Sequence, residues 1–177
     1  DHTDIYPTPV ALEEALQQFC SQSEMVIHHD NQQLNRLAGA AGSPARRIGP
    51  AGDLELISIE QLISGQQVHY RLKQQERSFR LSLRGHHQAL NGLLVLALLR
   101  ELGYDINAIE DALAGFSGVA RRMETVLQTG QGTLLDDYAH HPAEIDAVLE
   151  ILPARTHVLF QSHTFTRTRD FAAEFAR

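Results

Sequence analysis

The sequence predicts an α/β fold in two domains, residues 1–117 and 118–177, and three observations carry that expectation. Short apolar runs alternate with segments of helical period, as in βα units. A block between Asp53 and Leu83 switches to period-two alternation, the mark of half-buried strands. Behind Phe116-Ser117-Gly118 the pattern restarts as strand, strand, loop, helix, strand, which places a domain joint there.

Taken in order, Pro7-Thr8-Pro9 breaks the chain, and Thr8 caps a helix whose apolar positions Val10, Leu12, Leu16 and Phe19 share a face. Met25-Val26-Ile27 reads as a buried strand. Asp30 is placed to cap a second helix through Leu34 and Leu37, ended by Gly39, Gly42 and Pro44. Leu54, Leu56 and Ile57, then Val68, Tyr70 and Leu72, then Phe79, Leu81 and Leu83 predict a small antiparallel meander, with turns at Ser64-Gly65-Gln66 and Lys73 to Glu76. A Leu-rich core helix runs from His86 to Leu102 and stops at Gly103; a shorter one spans Asn107 to Leu113. Arg121 to Val126 and Gly132 to Leu135 predict a hairpin around Gly130-Gln131-Gly132. Pro142 opens a helix at its first position, and Thr156 to Phe160 reads as a buried parallel strand.

Asp136-Asp137-Tyr138-Ala139-His140-His141-Pro142 puts two carboxylates, a phenol and two imidazoles between a short buried strand, Thr133 to Leu135, and a helix. Gln161 to Arg169 follows the next predicted strand in the same way. Two consecutive strand ends of a doubly wound sheet would then face one crevice, where open α/β sheets hold ligands. Blander readings stay open at this point. The Asp-Asp pair serves equally as helix capping and dipole complementation, and the His-His pair as a solvated turn. A metal cluster of Asp136, Asp137, His140 and His141 is a further option, although adjacent imidazoles rarely aim at one ion.

Composition narrows the function classes. Hydrophobic content of 43% with 21% charged residues is that of an ordinary globular chain of 177 residues. A formal charge of −7 argues against a general nucleic-acid or anionic-membrane surface, while Arg121-Arg122 can still meet a phosphate. The single cysteine, Cys20, rules out an internal disulfide and fits a reducing compartment and the core of a helix. The longest apolar run, Leu93 to Leu99, is too short for membrane insertion, so a cytoplasmic protein is expected. The chain starts at Asp1 without an initiator Met and stops within the amphipathic pattern Phe171-Ala172-Phe175, as expected of an excerpt from a longer polypeptide.

Five segments in order resemble the Mur ligases: Asp1 to Tyr6, Gly85 to Asn91, Phe116 to Glu124, Asp136 to Pro142, and Phe160 to Thr168. The Asp-Asp-Tyr-x-His-His-Pro and Phe-Gln-x-His-x-x-Thr-Arg-Thr forms are those of members that add L-alanine to UDP-N-acetylmuramate, more than of the murein-peptide recycling ligase. The resemblance implies cytoplasmic three-domain enzymes of peptidoglycan synthesis. They use Mg²⁺ and ATP to phosphorylate a carboxylate, and an amine then attacks the acyl phosphate. This chain would hold the later part of a P-loop-type central ATPase domain and the first half of a Rossmann-like C-terminal domain.

The resemblance also implies roles. His2 matches a histidine that helps hold Mg²⁺. His87, Gln88 and Asn91 match the motif beside adenine, with Gln88 standing where the family has Asn. Arg122 matches the arginine that reaches the nucleotide phosphates, and Asp137 the aspartate at the ribose or phosphate. Tyr138, His140, His163 and Arg167 resemble the group around the incoming amino acid, so that Arg122, Asp137 and His140 are the candidate catalytic residues. Ser162 and Thr164 stand where the L-alanine-adding members usually carry Pro and Arg. No Gly-x-x-x-x-Gly-Lys-Ser/Thr phosphate loop occurs in these residues, so the chain alone is expected to be inactive. A non-catalytic module derived from such a ligase, binding nucleotide or a partner, is the competing reading from another class. An incomplete sheet with open edges leaves a homodimer open.

Overall fold

The computed structural model describes residues 5–176, and the chain forms two compact units, one of Pro9–Ser117 and one built on the chain from Gly118 onward. His2 lies outside the described residues. Among them, no helix is long and apolar enough to cross a membrane.

The first unit runs α1 (Pro9–Ser21), β1 (Val26–His29), α2 (Gln32–Ala41), β2 (Ala45–Ile48), β3 (Leu54–Gln61), β4 (Gln66–Leu72), β5 (Gln75–Leu81), α3 (His86–Glu101) and α4 (Ile106–Gly115). One five-stranded sheet of order β1-β2-β3-β4-β5 holds them, parallel from β1 to β3 and antiparallel from β3 to β5. The meander is therefore one wing of a mixed sheet, joined to the parallel wing through the Ile48–Leu54 pairing. The joining strand, β2, has no strand pattern in the sequence, because Ala45-Arg46-Arg47-Ile48 carries charge in its centre. Those cations are absorbed locally, Arg46 by Glu101 at 2.7 Å and Arg47 by Asp30 at 3.7 Å. The expected capping of α2 by Asp30 is corrected by one residue. Asn31 has the extended cap backbone and accepts from the Leu34 amide, while Asp30 accepts from the Asn35 side chain.

Val68, Tyr70, Leu93 and Leu96 are fully buried between the sheet and α3. Removing each such side chain from water is worth about 1.5–3 kcal/mol, so this layer is the main apolar stabilisation of the unit. Gly92 lets α3 lie close on the sheet, since a Cβ there would meet the Phe79 ring at 3.0 Å. A polar clamp closes the far side. The buried Tyr70 hydroxyl donates to Glu110 Oε1 at 2.6 Å, and Arg77 binds both oxygens of the same carboxylate, Nε at 2.9 Å and Nη2 at 2.8 Å. Burial opposes the Glu110 charge, yet the bonds from Arg77 and Tyr70 outweigh it and hold that carboxyl below its ordinary range.

The second unit contains β6 (Glu124–Thr129), β7 (Gly132–Asp136), α5 (Pro142–Leu149), α6 (Phe165–Asp170) and α7 (Ala172–Phe175). The β6–β7 hairpin and the helix opened by Pro142 match expectation. Two other expectations fail. Thr133 to Leu135 is a strand but not a buried one, since Leu134 is 57% exposed. Thr156 to Phe160 belongs to no strand, and Leu159 is fully exposed. The physical reason is pairing: among the described residues β7 ladders only with β6, and nothing offers Thr156–Phe160 the hydrogen bonds that would make it a strand. The doubly wound sheet expected here is thus a two-stranded hairpin among the described residues. Gln161 to Arg169 is likewise split, with α6 starting at Phe165 under a Thr164 cap.

Candidate functional site

The candidate residues fall in two places. In the first unit, Gly85 (φ 107°) turns the chain into α3, placing His87 and Gln88 in its first turn and Asn91 one turn on. This start is fixed by Gln66, a buried side chain whose Nε2 donates to Gly85 O at 3.0 Å and whose Oε1 accepts from Gly85 N at 3.1 Å. Gln88 and Asn91 sit on a cavity of about 250 Å³ whose walls are otherwise apolar, formed in part by Leu81, Leu99, Leu113 and Phe116. His87 is half-buried and does not line it. An apolar slot with two amide-bearing side chains suits a flat heterocycle, which needs contact on its faces and hydrogen bonds at its edge.

In the second unit, Tyr138, His140 and His163 come together although 25 residues separate the first from the last. The Tyr138 hydroxyl lies 3.4 Å from His163 Nε2, and the Tyr138 and His140 rings meet edge-on at 4.9 Å. His140 is oriented from both ends. Its Nδ1 lies 2.7 Å from the Tyr138 carbonyl, which makes that nitrogen the donor, and its backbone N–H donates to Glu144 Oε2 at 3.1 Å. The guanidinium carbons of Arg121 and Arg122 lie 4.9 and 5.8 Å from the Tyr138 ring centre, within cation–π range. Arg121, Tyr138, His140 and His163 border a cavity of about 590 Å³ walled by β7, α5 and the segment from Thr156 through His163, and Arg122 does not line it.

Asp137 is committed to the backbone on both oxygens, accepting from Met123 N at 2.8 Å and from Ala139 N at 2.7 Å. His141 is a cap, its Nδ1 accepting from Ala143 N, and burial lowers its basicity. Arg167 is buried in α6, only 8% exposed, and does not line the cavity. Thr164, one of the departures from the family pattern, accepts from the Arg167 amide as the cap of α6. Among the described residues no three His, Cys, Asp or Glu side chains converge as metal ligands, so the cluster of Asp136, Asp137, His140 and His141 is not formed.

Sequence reasoning missed Gln66 and Glu144. Glu144 had a signal, since it stands three residues after the cap of α5, where a carboxylate reaches back to a free amide. Burial against the Glu144 charge is outweighed chiefly by the His140 amide, which keeps that carboxyl below its ordinary range. Gln66 had none, because one glutamine beside a turn glycine reads as solvent-facing.

Comparison with known proteins bears on family and fold. The family described as "Mur ligase, glutamate ligase domain" matches residues 121–177. A UDP-N-acetylmuramate–L-alanine ligase of Mycolicibacterium gilvum (strain PYR-GCK) is 37% identical across 99% of this chain and 41% of its own length. The chain therefore spans about two fifths of that curated relative. The crystal structure of the UDP-N-acetylmuramate–alanine ligase from Thermotoga maritima superimposes with a TM-score of 0.71 at 25% identity, over 85% of this chain and 35% of that one. A MurF ligase from the same organism, solved in complex with ADP, shares the fold with a TM-score of 0.70 at 19% identity, over 84% of this chain and 36% of that one. Sequence relatives and fold agree, and the chain belongs to the Mur ligase family.

Proposed function

We propose that this chain is part of an ATP-dependent, ADP-forming ligase that joins L-alanine to UDP-N-acetylmuramate in cytoplasmic peptidoglycan precursor synthesis. The γ-phosphoryl group would pass to the acceptor carboxylate with release of ADP, and the alanine amine would then displace phosphate to form the amide. The observation that carries the reading is the convergence of Tyr138, His140 and His163 with Arg121 at one cavity, with the Arg122 guanidinium near the Tyr138 ring. The ADP held by the Thermotoga maritima MurF neighbour and the L-alanine named for the Mycolicibacterium gilvum relative support the substrate pair.

In this reading residues 1–117 are the later part of a P-loop-type central domain, and 118–177 open a Rossmann-like C-terminal domain. His87, Gln88 and Asn91 border the purine, and Arg122 meets phosphate charge as it develops, a task for a guanidinium that stays charged. Asp137 belongs to the ribose and phosphate region through the turn that carries Arg122. Tyr138, His140 and His163 form the surroundings of the amino acid, and Arg167 is assigned there on the family motif alone. Each unit by itself has a group of the right chemistry: in the first, an apolar slot with amides that suits the base of ATP, and in the second, exposed arginines that suit phosphate. Magnesium finds no ligand cluster among the described residues.

The test is phosphate release by the natural full-length polypeptide with ATP, UDP-N-acetylmuramate and L-alanine. Release should require all three, and Arg122→Ala should lower kcat by about 10²-fold, the usual loss of one preorganised transition-state donor. Release indifferent to L-alanine would sink the reading. The 177-residue chain alone, which has no phosphate loop in its sequence, should show no turnover. Nucleotide binding without turnover by the full-length polypeptide would favour the non-catalytic module.

A further inference from the structure

The segment before β6 holds two side-chain-bearing residues in the left-handed region, Arg121 at φ 61° and Met123 at φ 51°. Residues with a Cβ adopt that region only where their surroundings over-determine it, and such outliers gather at functional sites. Here the fastening is explicit. Met123 N–H donates to Asp137 Oδ2 at 2.8 Å, Arg121 N–H to Glu124 Oε2 at 2.7 Å, and Tyr138 N–H to Arg121 O at 2.8 Å. Arg122 sits between the two strained residues, with its guanidinium near the Tyr138 ring.

We infer that Asp137 is a positioning residue for Arg122: its carboxylate ties the strained Arg121–Met123 turn to the Tyr138–His140 loop and so sets where the Arg122 guanidinium points. Its two oxygens reach different segments, Oδ2 to the turn and Oδ1 to Ala139 N in the loop, which one local turn would not require. A carboxylate accepts on both oxygens, whereas an asparagine presents an NH₂ to one of the two amides and can satisfy only the other. Asp137 thus acts on the reaction through Arg122. This inference rests on the reading of Arg122 as the phosphate-facing arginine.

Two measurements test it. In the 177-residue chain, NMR reads the ring-current shift that Tyr138 imposes on the Arg122 side chain, together with exchange of the Met123 amide. Asp137→Asn should remove most of that shift and speed Met123 exchange about tenfold, the loss of one hydrogen bond to a charged acceptor. Adding Met123→Gly, which removes the need for a strained backbone, should bring part of the shift back. An unchanged shift in Asp137→Asn, or no recovery with glycine, overturns the inference. Should Asp137→Asn fail to fold, folding of the Asp137→Asn/Met123→Gly pair supports it and failure of the pair overturns it. In the full-length polypeptide, Asp137→Asn and Arg122→Ala should combine to lower kcat no further than Arg122→Ala alone, and multiplicative losses would overturn it. If the unsubstituted polypeptide does not ligate, the functional reading fails, while the ring-current comparison still decides the positioning role.

Discussion

Tyr70→Phe isolates one hydrogen bond in the clamp that binds α4 to the meander. The ring stays in place, because Tyr70 is fully buried and its packing against Phe79, with ring centres 5.7 Å apart, does not involve the hydroxyl. The loss is the 2.6 Å bond to Glu110 Oε1. Bonds to charged groups contribute about 1.5–3 kcal/mol, and the lower end applies because Arg77 still holds both oxygens and no donor is left stranded. We expect about 1.5 kcal/mol, near 1 M in the urea midpoint for a unit of this size. Glu110→Gln should cost more, about 2–3 kcal/mol, since it leaves Arg77 without its counter-charge. That figure is set below the range for fully buried pairs because the Arg77 and Glu110 side chains keep 24% and 15% exposure. The two changes should be non-additive by about 1 kcal/mol. The assay is urea unfolding followed through the methyl signals of the buried Leu93 and Leu96, which report the first unit alone. A Tyr70→Phe loss below about 0.3 kcal/mol, or strict additivity, would refute the clamp.

The same carboxylate gives a pH signature. Glu110 is depressed in the fold, so its contribution is complete above the unfolded value of about 4.3 and is lost as pH falls through the folded one; Glu110→Gln should flatten that acid limb in the same urea series. His141 is also depressed, by burial first, and its Nδ1 must be unprotonated to cap α5. Stability of the second unit should therefore fall as pH drops below about 6.5, and His141→Asn should remove the dependence when thermal melts are compared across that range. Gly65→Ala should destabilise the first unit by about 2 kcal/mol or more in urea, because at φ 90° the new Cβ would stand 2.0 Å from Leu81 O. Asn31→Ala should cost about 1 kcal/mol through loss of the α2 cap, read by amide exchange at Leu34.

What the sequence made legible follows the range of the forces involved. The meander, the Leu-rich α3 and the Pro142 helix are written in local periodicity and punctuation, and they formed where expected. β2 escaped because its centre is Arg46-Arg47, whose partners Glu101 and Asp30 lie on other elements. Thr156 to Phe160 had the composition of a strand, but composition supplies no pairing partner, and none is present among the described residues. At the candidate site, residue types in the 136–142 loop were informative while their arrangement was not. That Asp137 would bind two backbone amides and His141 would cap a helix required knowing where Met123 and Ala143 stand.

The mixed sheet of the first unit also sets an order of assembly. β3, β4 and β5 are neighbours in sequence as well as in space, linked by residues 62–65 and by the Lys73-Gln74 turn, so their pairing closes only short loops. The parallel pairing of β1 with β2 must wait for α2 to cross between them. The meander, with α3 laid across it, is thus the natural nucleus, and the β1–β2 wing is a late addition. Core truncations at Val68 or Phe79 should slow folding, whereas those at Ile27 should chiefly hasten unfolding.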